Sequence, residues 1–139
     1  MFNKKYEERL GIWSSFRESL EKAEDPFRLL IDFYKDAPQV SIHTDPYNRE
    51  IWPTPWELLE ENQYCDFCRV LAYCYSLQLT DRFKESVFEI HIITTGLEIY
   101  YLLQVDNWIL GYEENEVIDK SQLPSDFKPQ VTYTMALGQ

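Results

Sequence analysis

The chain is poor in glycine, poor in histidine and short of positive charge. Four glycines in 139 residues leave few places where the backbone takes a positive φ without strain, which argues against a fold made of many tight glycine turns. Two histidines, His43 and His91, confine any imidazole chemistry to those positions. Three cysteines make an odd number with no disulfide rhythm, so a stapled framework is not expected and the thiols are read as reduced. No apolar run approaches the roughly 18 residues of a membrane span. The opening, MFNKKYEERLGIW, has lysines but no apolar stretch of the kind a secretory signal carries. These absences predict a cytoplasmic chain in a reducing compartment.

Thirteen Lys and Arg stand against 24 Asp and Glu, a net charge of -11. Phosphate binding needs clustered cations, and anionic membrane surfaces attract polybasic segments. The balance therefore argues against nucleic acid and against membranes. It leaves solubility and the docking of a basic protein partner as the two uses of the charge. What the sequence does contain is globular material: 45% hydrophobic and 16% aromatic residues. That is enough for one domain over residues 1–139 with a core of its own. No repeat, linker or low-complexity tract divides it.

Asn3 to Lys22 carries Tyr6, Leu10, Trp13, Phe16 and Leu20 at helical spacing. Asp25-Pro26 opens a second helix, with Asp25 as N-cap and Pro26 in the first turn, and Ala37-Pro38 ends it. Gln39 to His43 reads as a short strand, and Thr44 to Pro53 as a loop. Thr54-Pro55-Trp56-Glu57 is a capping box for a short helix that stops near Glu61-Asn62. The apolar run through Cys65 then continues to about Leu79, as a separate helix or as the far half of a bent one. Beyond Asp81 the period changes to alternation. Val87 to Thr94, Leu97 to Val105 and Trp108 to Tyr112, joined by Thr95-Gly96 and Asp106-Asn107, predict an antiparallel meander. Glu113 to Lys128 reads as an acidic loop with one turn of helix, and Val131 to Met135 as a last strand. Helices precede strands, so the class is α+β with segregated layers.

One stretch bears on chemistry. A thiol in the first turn of a helix is drawn toward the thiolate by the free amides and the macrodipole, and Cys65 takes that place if its helix begins near Asn62. Nucleophilic catalysis by a thiolate also needs a histidine and a polar group to orient it. His91 and then Asp106-Asn107 follow in that order on the strands. Cys65-x-x-Cys68 is only half of a zinc site, and Cys74 falls elsewhere on the helix, so no metal and no cofactor are expected. As core fillers the three cysteines also fit, since cysteine is among the most buried residue types. His43 reads as a loop histidine, and Glu60-Glu61 and Glu113-Glu114 as solvated acidic positions.

Tyr64-Cys65-Asp66-Phe67-Cys68-Arg69-Val70-Leu71, followed by a β-meander, resembles the core of the transglutaminase-like branch of the papain-like cysteine peptidases. Cys65-Asp66 matches the Cys-Asp pair that opens the helix, and Cys68 matches the small residue three positions on. The likeness spans about Trp52 to Tyr112. It implies Cys65 as nucleophile, His91 as base and Asp106 or Asn107 as orienting group, in an amide hydrolase or acyl transferase. The chain departs from the family at Gln63-Tyr64, where a glycine is common. In the strands, Phe88, Ile90 and Ile92 share one face and His91 the other. A second register makes Tyr101 stand where the histidine is required. These departures imply a degenerate, non-catalytic member. The Trp-Pro-Thr-Pro-Trp and Tyr-Cys-Asp-Phe strings are also similar to stretches of small proteins of marine tailed phages, which implies a structural, virion-associated role.

Tryptophan is enriched where proteins meet. Trp52 and Trp56, held apart by Pro53 and Pro55, form a stiff aromatic ledge. Together with Trp13 they are the candidate partner-binding residues, or else they cap the core. The function expected from the sequence is an acidic, non-catalytic interaction protein; the alternative is the Cys65–His91 hydrolase.

Overall fold

The computed structural model describes residues 1–41 and 44–136; His43 falls outside them. The order is α1 (Tyr6–Lys22), α2 (Pro26–Tyr34), α3 (Pro55–Glu61), α4 (Asp66–Gln78), then β1 (Phe88–Thr95), β2 (Glu98–Val105), β3 (Trp108–Leu110), β4 (Val117–Asp119) and β5 (Val131–Met135). Single turns of 3-10 helix lie at Arg49–Ile51 and Lys120–Gln122. The class is α+β, with helices first and an antiparallel sheet after them, as the sequence predicts.

Local chemistry sets the helix ends. Asp25 accepts from the Arg28 amide at 3.1 Å and Pro26 takes the first helical position of α2. At α3 the capping box is complete: Thr54 Oγ1 lies 3.2 Å from the Glu57 amide, and the Glu57 carboxylate 3.0 Å from the Thr54 amide. Asn62 closes α3 at φ 54°, a left-handed position that asparagine tolerates. This break makes α3 and α4 two helices rather than one bent one. Distant side chains supply the remaining caps. The buried Arg9 guanidinium donates to the carbonyls of Leu59 at 2.8 Å and Glu60 at 3.1 Å, and also to that of Lys4. Arg82 donates to the Leu20 and Ala23 carbonyls at the end of α1. The Glu21 carboxylate takes the amides of Asp81 and Arg82 in return.

α4 is the centre of the fold. Every residue of it is buried except Asp66 and Arg69, because it lies on β2 on one side and against α1, α2 and α3 on the others. A helix apolar almost all round has no other stable place. Within this core the Trp13 indole N–H reaches Tyr34 Oη at 3.1 Å and Ser76 Oγ at 3.0 Å, and those two oxygens are 2.9 Å apart. The three helices that meet there thus satisfy one another's buried polar atoms.

The sheet runs β4-β3-β2-β1-β5, every neighbour antiparallel. It adds β4 to the three-stranded meander and the last strand, Val131 to Met135, read from the sequence. Glu113 to Lys128 contains β4, whose Val117 and Ile118 pair with Leu110 and Ile109. Two apolar residues amid acidic ones are too few to show a period. The strand expected at Gln39 to His43 is, among its described residues, one parallel bridge from Gln39 to Tyr64. Phe88, Ile90, Leu103, Val105, Leu110 and Met135 face the helices. On the other face Ile93, Leu102 and Ile109 form a smaller cluster, covered by Tyr112, Leu123 and Phe127.

Candidate functional site

Cys65 is the N-cap of α4, with φ -75° and ψ 172°, so it stands one position before the first turn in which the sequence placed it. Its carbonyl accepts the Arg69 amide at 3.0 Å. Cys65 is 4% exposed and Cys68 0%. Cys68 Sγ lies 3.2 Å from Thr44 Oγ1. Hydrogen bonding to the Cys65 thiol, reinforced by burial, pushes the Cys68 thiol well above the usual range. Burial does the same to Cys74. Cys68 and Cys74 are therefore neutral thiols at physiological pH.

The other residues of the expected triad are elsewhere. His91 is on β1, on the face opposite Ile90 and Ile92. Its Nε2 is 2.8 Å from Gln104 Oε1 and its Nδ1 2.8 Å from Thr132 Oγ1. Gln104 Nε2 donates to the Asp106 carbonyl at 2.8 Å, which fixes Oε1 as the acceptor and Nε2 of His91 as the donor. Both ring nitrogens are thus engaged on the side of the sheet away from α4. Asp106 forms the β2–β3 turn at φ 54°, and its carboxylate takes the Val87 amide at 2.9 Å. Asn107 holds the Lys120 amide through its carbonyl at 2.7 Å. The structure does not bring His91, Asp106 and Asn107 to Cys65. The side chain that faces the start of α4 from β2 is Tyr101, whose ring meets Phe67 edge-on at 5.5 Å. Burial, with Tyr47, Cys65, Asp66 and Asp45 nearby, raises the Tyr101 hydroxyl above its usual range.

Beside this tip of α4 opens a cleft of about 470 Å³. Its floor is Ile31, Val70 and Leu110, its walls include Tyr73 and Tyr101, and its lip is the β3–β4 loop with Glu113, Glu114 and Glu116. The cations at the cleft are already engaged. Arg69 donates to the Tyr34 carbonyl at 3.0 Å and to Gln39 Oε1 at 2.6 Å, and Gln39 holds Asp66 at 3.0 Å. Lys35 pairs with Asp32 at 3.0 Å. Glu116 pairs with Arg28 at 3.6 Å, whereas Glu113 and Glu114 have no ion pair among the described residues. Burial raises the Tyr73 hydroxyl against the pull of Arg69. The cleft therefore offers aromatic walls and a lining of four carboxylates, Asp66, Glu113, Glu114 and Glu116, against two cations, Lys35 and Arg69.

Glu113 and Glu114 are exposed in the β3–β4 loop, as the sequence reads them, and the same loop borders the cleft. The signal that placed them at a cleft was Gly111, held at φ 99° against the Tyr101 carbonyl, which folds the loop back over β2. Of the three candidate tryptophans, Trp13 is 2% exposed and Trp52 9%. Trp52 packs on Phe67 and Tyr133 and donates to the Asp45 carbonyl at 3.2 Å. Both belong to the core, because their N–H groups find internal acceptors. Trp56 is 47% exposed, its ring edge-on to Trp13 at 5.4 Å. Among the described residues no group of three metal-ligating side chains converges, and no helix is long and apolar enough to cross a membrane. Comparison with protein families, with curated proteins and with solved structures finds no match to this chain.

Proposed function

We propose that this chain is a non-catalytic, acidic interaction domain, and that it receives a basic side chain of a protein partner in the cleft beside α4. The observation that carries this reading is the pairing of Tyr73 and Tyr101 with the carboxylates of Glu113 and Glu114. A guanidinium or ammonium group gains from both an aromatic face and a carboxylate. The net charge of -11 steers a basic partner toward it. In the transglutaminase-like reading of the fold, Tyr101 takes the place of the histidine, which agrees with a degenerate site. The alternative, an amide hydrolase using Cys65 and His91, draws on the N-cap position of Cys65. Against it stand the two hydrogen bonds that hold His91 on the other face of the sheet.

The test is calorimetric titration with short arginine- or lysine-bearing peptides, and with acidic peptides of equal length as controls. Basic peptides are expected to bind, more weakly as salt rises. The double substitution Glu113→Gln, Glu114→Gln is expected to remove most of that affinity. Equal binding of acidic peptides, or no effect of the double substitution, would sink the reading.

A further inference from the structure

We propose that Cys65 and Cys68 are a redox pair, able to close a reversible disulfide across the start of α4 by exchange with a low-molecular-weight disulfide. The argument begins with the neighbouring helix. Thr54, the N-cap of α3, has φ -72° and ψ 167°, and its side chain and that of Glu57, three residues on, engage each other's backbone amides. Cys65 caps α4 with almost the same backbone, φ -75° and ψ 172°, and Cys68 stands at the position of Glu57. The backbone geometry repeats, with cysteines at the two box positions. The Cys65 side chain and backbone N–H are both close enough to act on the Cys68 thiol, whereas the Cys65 side chain makes no bond to the helix amides.

A disulfide needs Cα atoms about 4.4–6.8 Å apart and converging Cβ vectors, and an N-cap in extended conformation directs its side chain at the third helical residue. Cys65 and Cys68 occupy those N-cap and third-helical-residue positions at the start of α4. The chemistry balances as ordinary exchange. One cysteine thiolate attacks the external disulfide and expels one thiolate. The second cysteine then displaces the other from the mixed disulfide, so two protein S–H groups are oxidised and one disulfide is reduced to two thiols. Oxidation removes the Cys68 S–H, so Thr44 Oγ1, now 3.2 Å from that sulfur, can then act toward it only as a donor. Cys74 has no such partner position and stays a thiol.

Because both sulfurs are buried, the experiment refolds the full chain from denaturant under anaerobic glutathione buffers of graded ratio, so that access does not limit the result. Products are trapped by acid and alkylation and read by mass. The expected outcome is one alkyl adduct per chain in place of three, with the two thiol hydrogens lost, Cys65 linked to Cys68 in the peptide map and Cys74 alkylated. Cys74→Ser keeps the change, and Cys65→Ser or Cys68→Ser removes it. The midpoint is expected at a more reducing ratio than for an unstructured peptide spanning Gln63 to Val70. A midpoint equal to the peptide's or more oxidising, three free thiols throughout, or a bridge to Cys74 overturns the proposal.

Discussion

Gly111 lies so close to the Tyr101 carbonyl that a β-carbon added there would fall inside contact distance of that oxygen, at a φ of 99° that side chains rarely adopt. Main-chain atoms cannot step aside as a flexible side chain would. Gly111→Ala is therefore expected to cost about 2–4 kcal/mol of unfolding free energy, measured from the urea midpoint. The same change displaces the loop that carries Glu113 and Glu114, so the surviving folded protein should bind basic peptides more weakly. By contrast Gly11→Ala meets nothing within 4 Å. It removes a helix-interior glycine, and it is expected to stabilise by about 0.5–1 kcal/mol.

Tyr34 sits within the Trp13–Ser76 network, and burial raises its hydroxyl to about 12. The sign follows directly. The unfolded chain releases this proton near pH 10, while the folded chain keeps it to about pH 12. The stabilisation is complete below about pH 10 and is lost as pH rises through that window, at up to about 1.4 kcal/mol per pH unit. Urea midpoints at pH 8, 10 and 11 should fall accordingly. Tyr34→Phe should flatten part of the slope, and not all of it, because burial moves Tyr64, Tyr73 and Tyr75 in the same direction. At neutral pH the same substitution costs about 1–2 kcal/mol, since the Trp13 and Ser76 polar atoms lose a shared partner.

Much of this architecture was legible because it is local. The Thr54-Pro55-Trp56-Glu57 box, the Asp25-Pro26 start and the alternation from Phe88 onward each encode their element within a few residues. The direction of His91 was legible too, from the period of two on β1. What could not be read depends on partners far along the chain. Arg9 looks like one more charged residue on an amphipathic helix, yet it is buried to satisfy carbonyls fifty residues away. Trp13 looks available until Tyr34 and Ser76 surround it. Glu113 and Glu114 are exposed loop residues as the sequence reads them, but that their loop borders a cleft depends on β3 and the loop after it lying beside α2 and α4.

Arg9 is a direct measure of those hidden contacts. Its guanidinium satisfies the last carbonyls of α3, which otherwise sit at a buried helix end. Arg9→Met keeps most of the volume and removes every donor, leaving the Leu59 and Glu60 carbonyls without it. The expected loss is about 2–3 kcal/mol, read by denaturant unfolding. Hydrogen exchange should rise first at α3, the shortest α-helix among the described residues. An unchanged midpoint would mean that water replaces the guanidinium there.

The last prediction separates the interaction reading from the hydrolase. If His91 served Cys65 as a base, removing the imidazole would slow thiol alkylation and any turnover by the roughly 100- to 10,000-fold that general-base help supplies. Both ring nitrogens instead bond Gln104 and Thr132 at 2.8 Å, on the side of the sheet that α4 does not touch. His91→Gln retains polar groups for those two partners, so the fold should persist, with a stability change of about 1 kcal/mol. Iodoacetamide labelling of Cys65, followed by peptide mass across pH 6 to 8, is expected to match the unsubstituted protein within about twofold. Any faster labelling should track local opening in the urea series rather than the imidazole. A slowing of two orders of magnitude at unchanged stability would instead assign His91 to the thiol and reverse the functional conclusion.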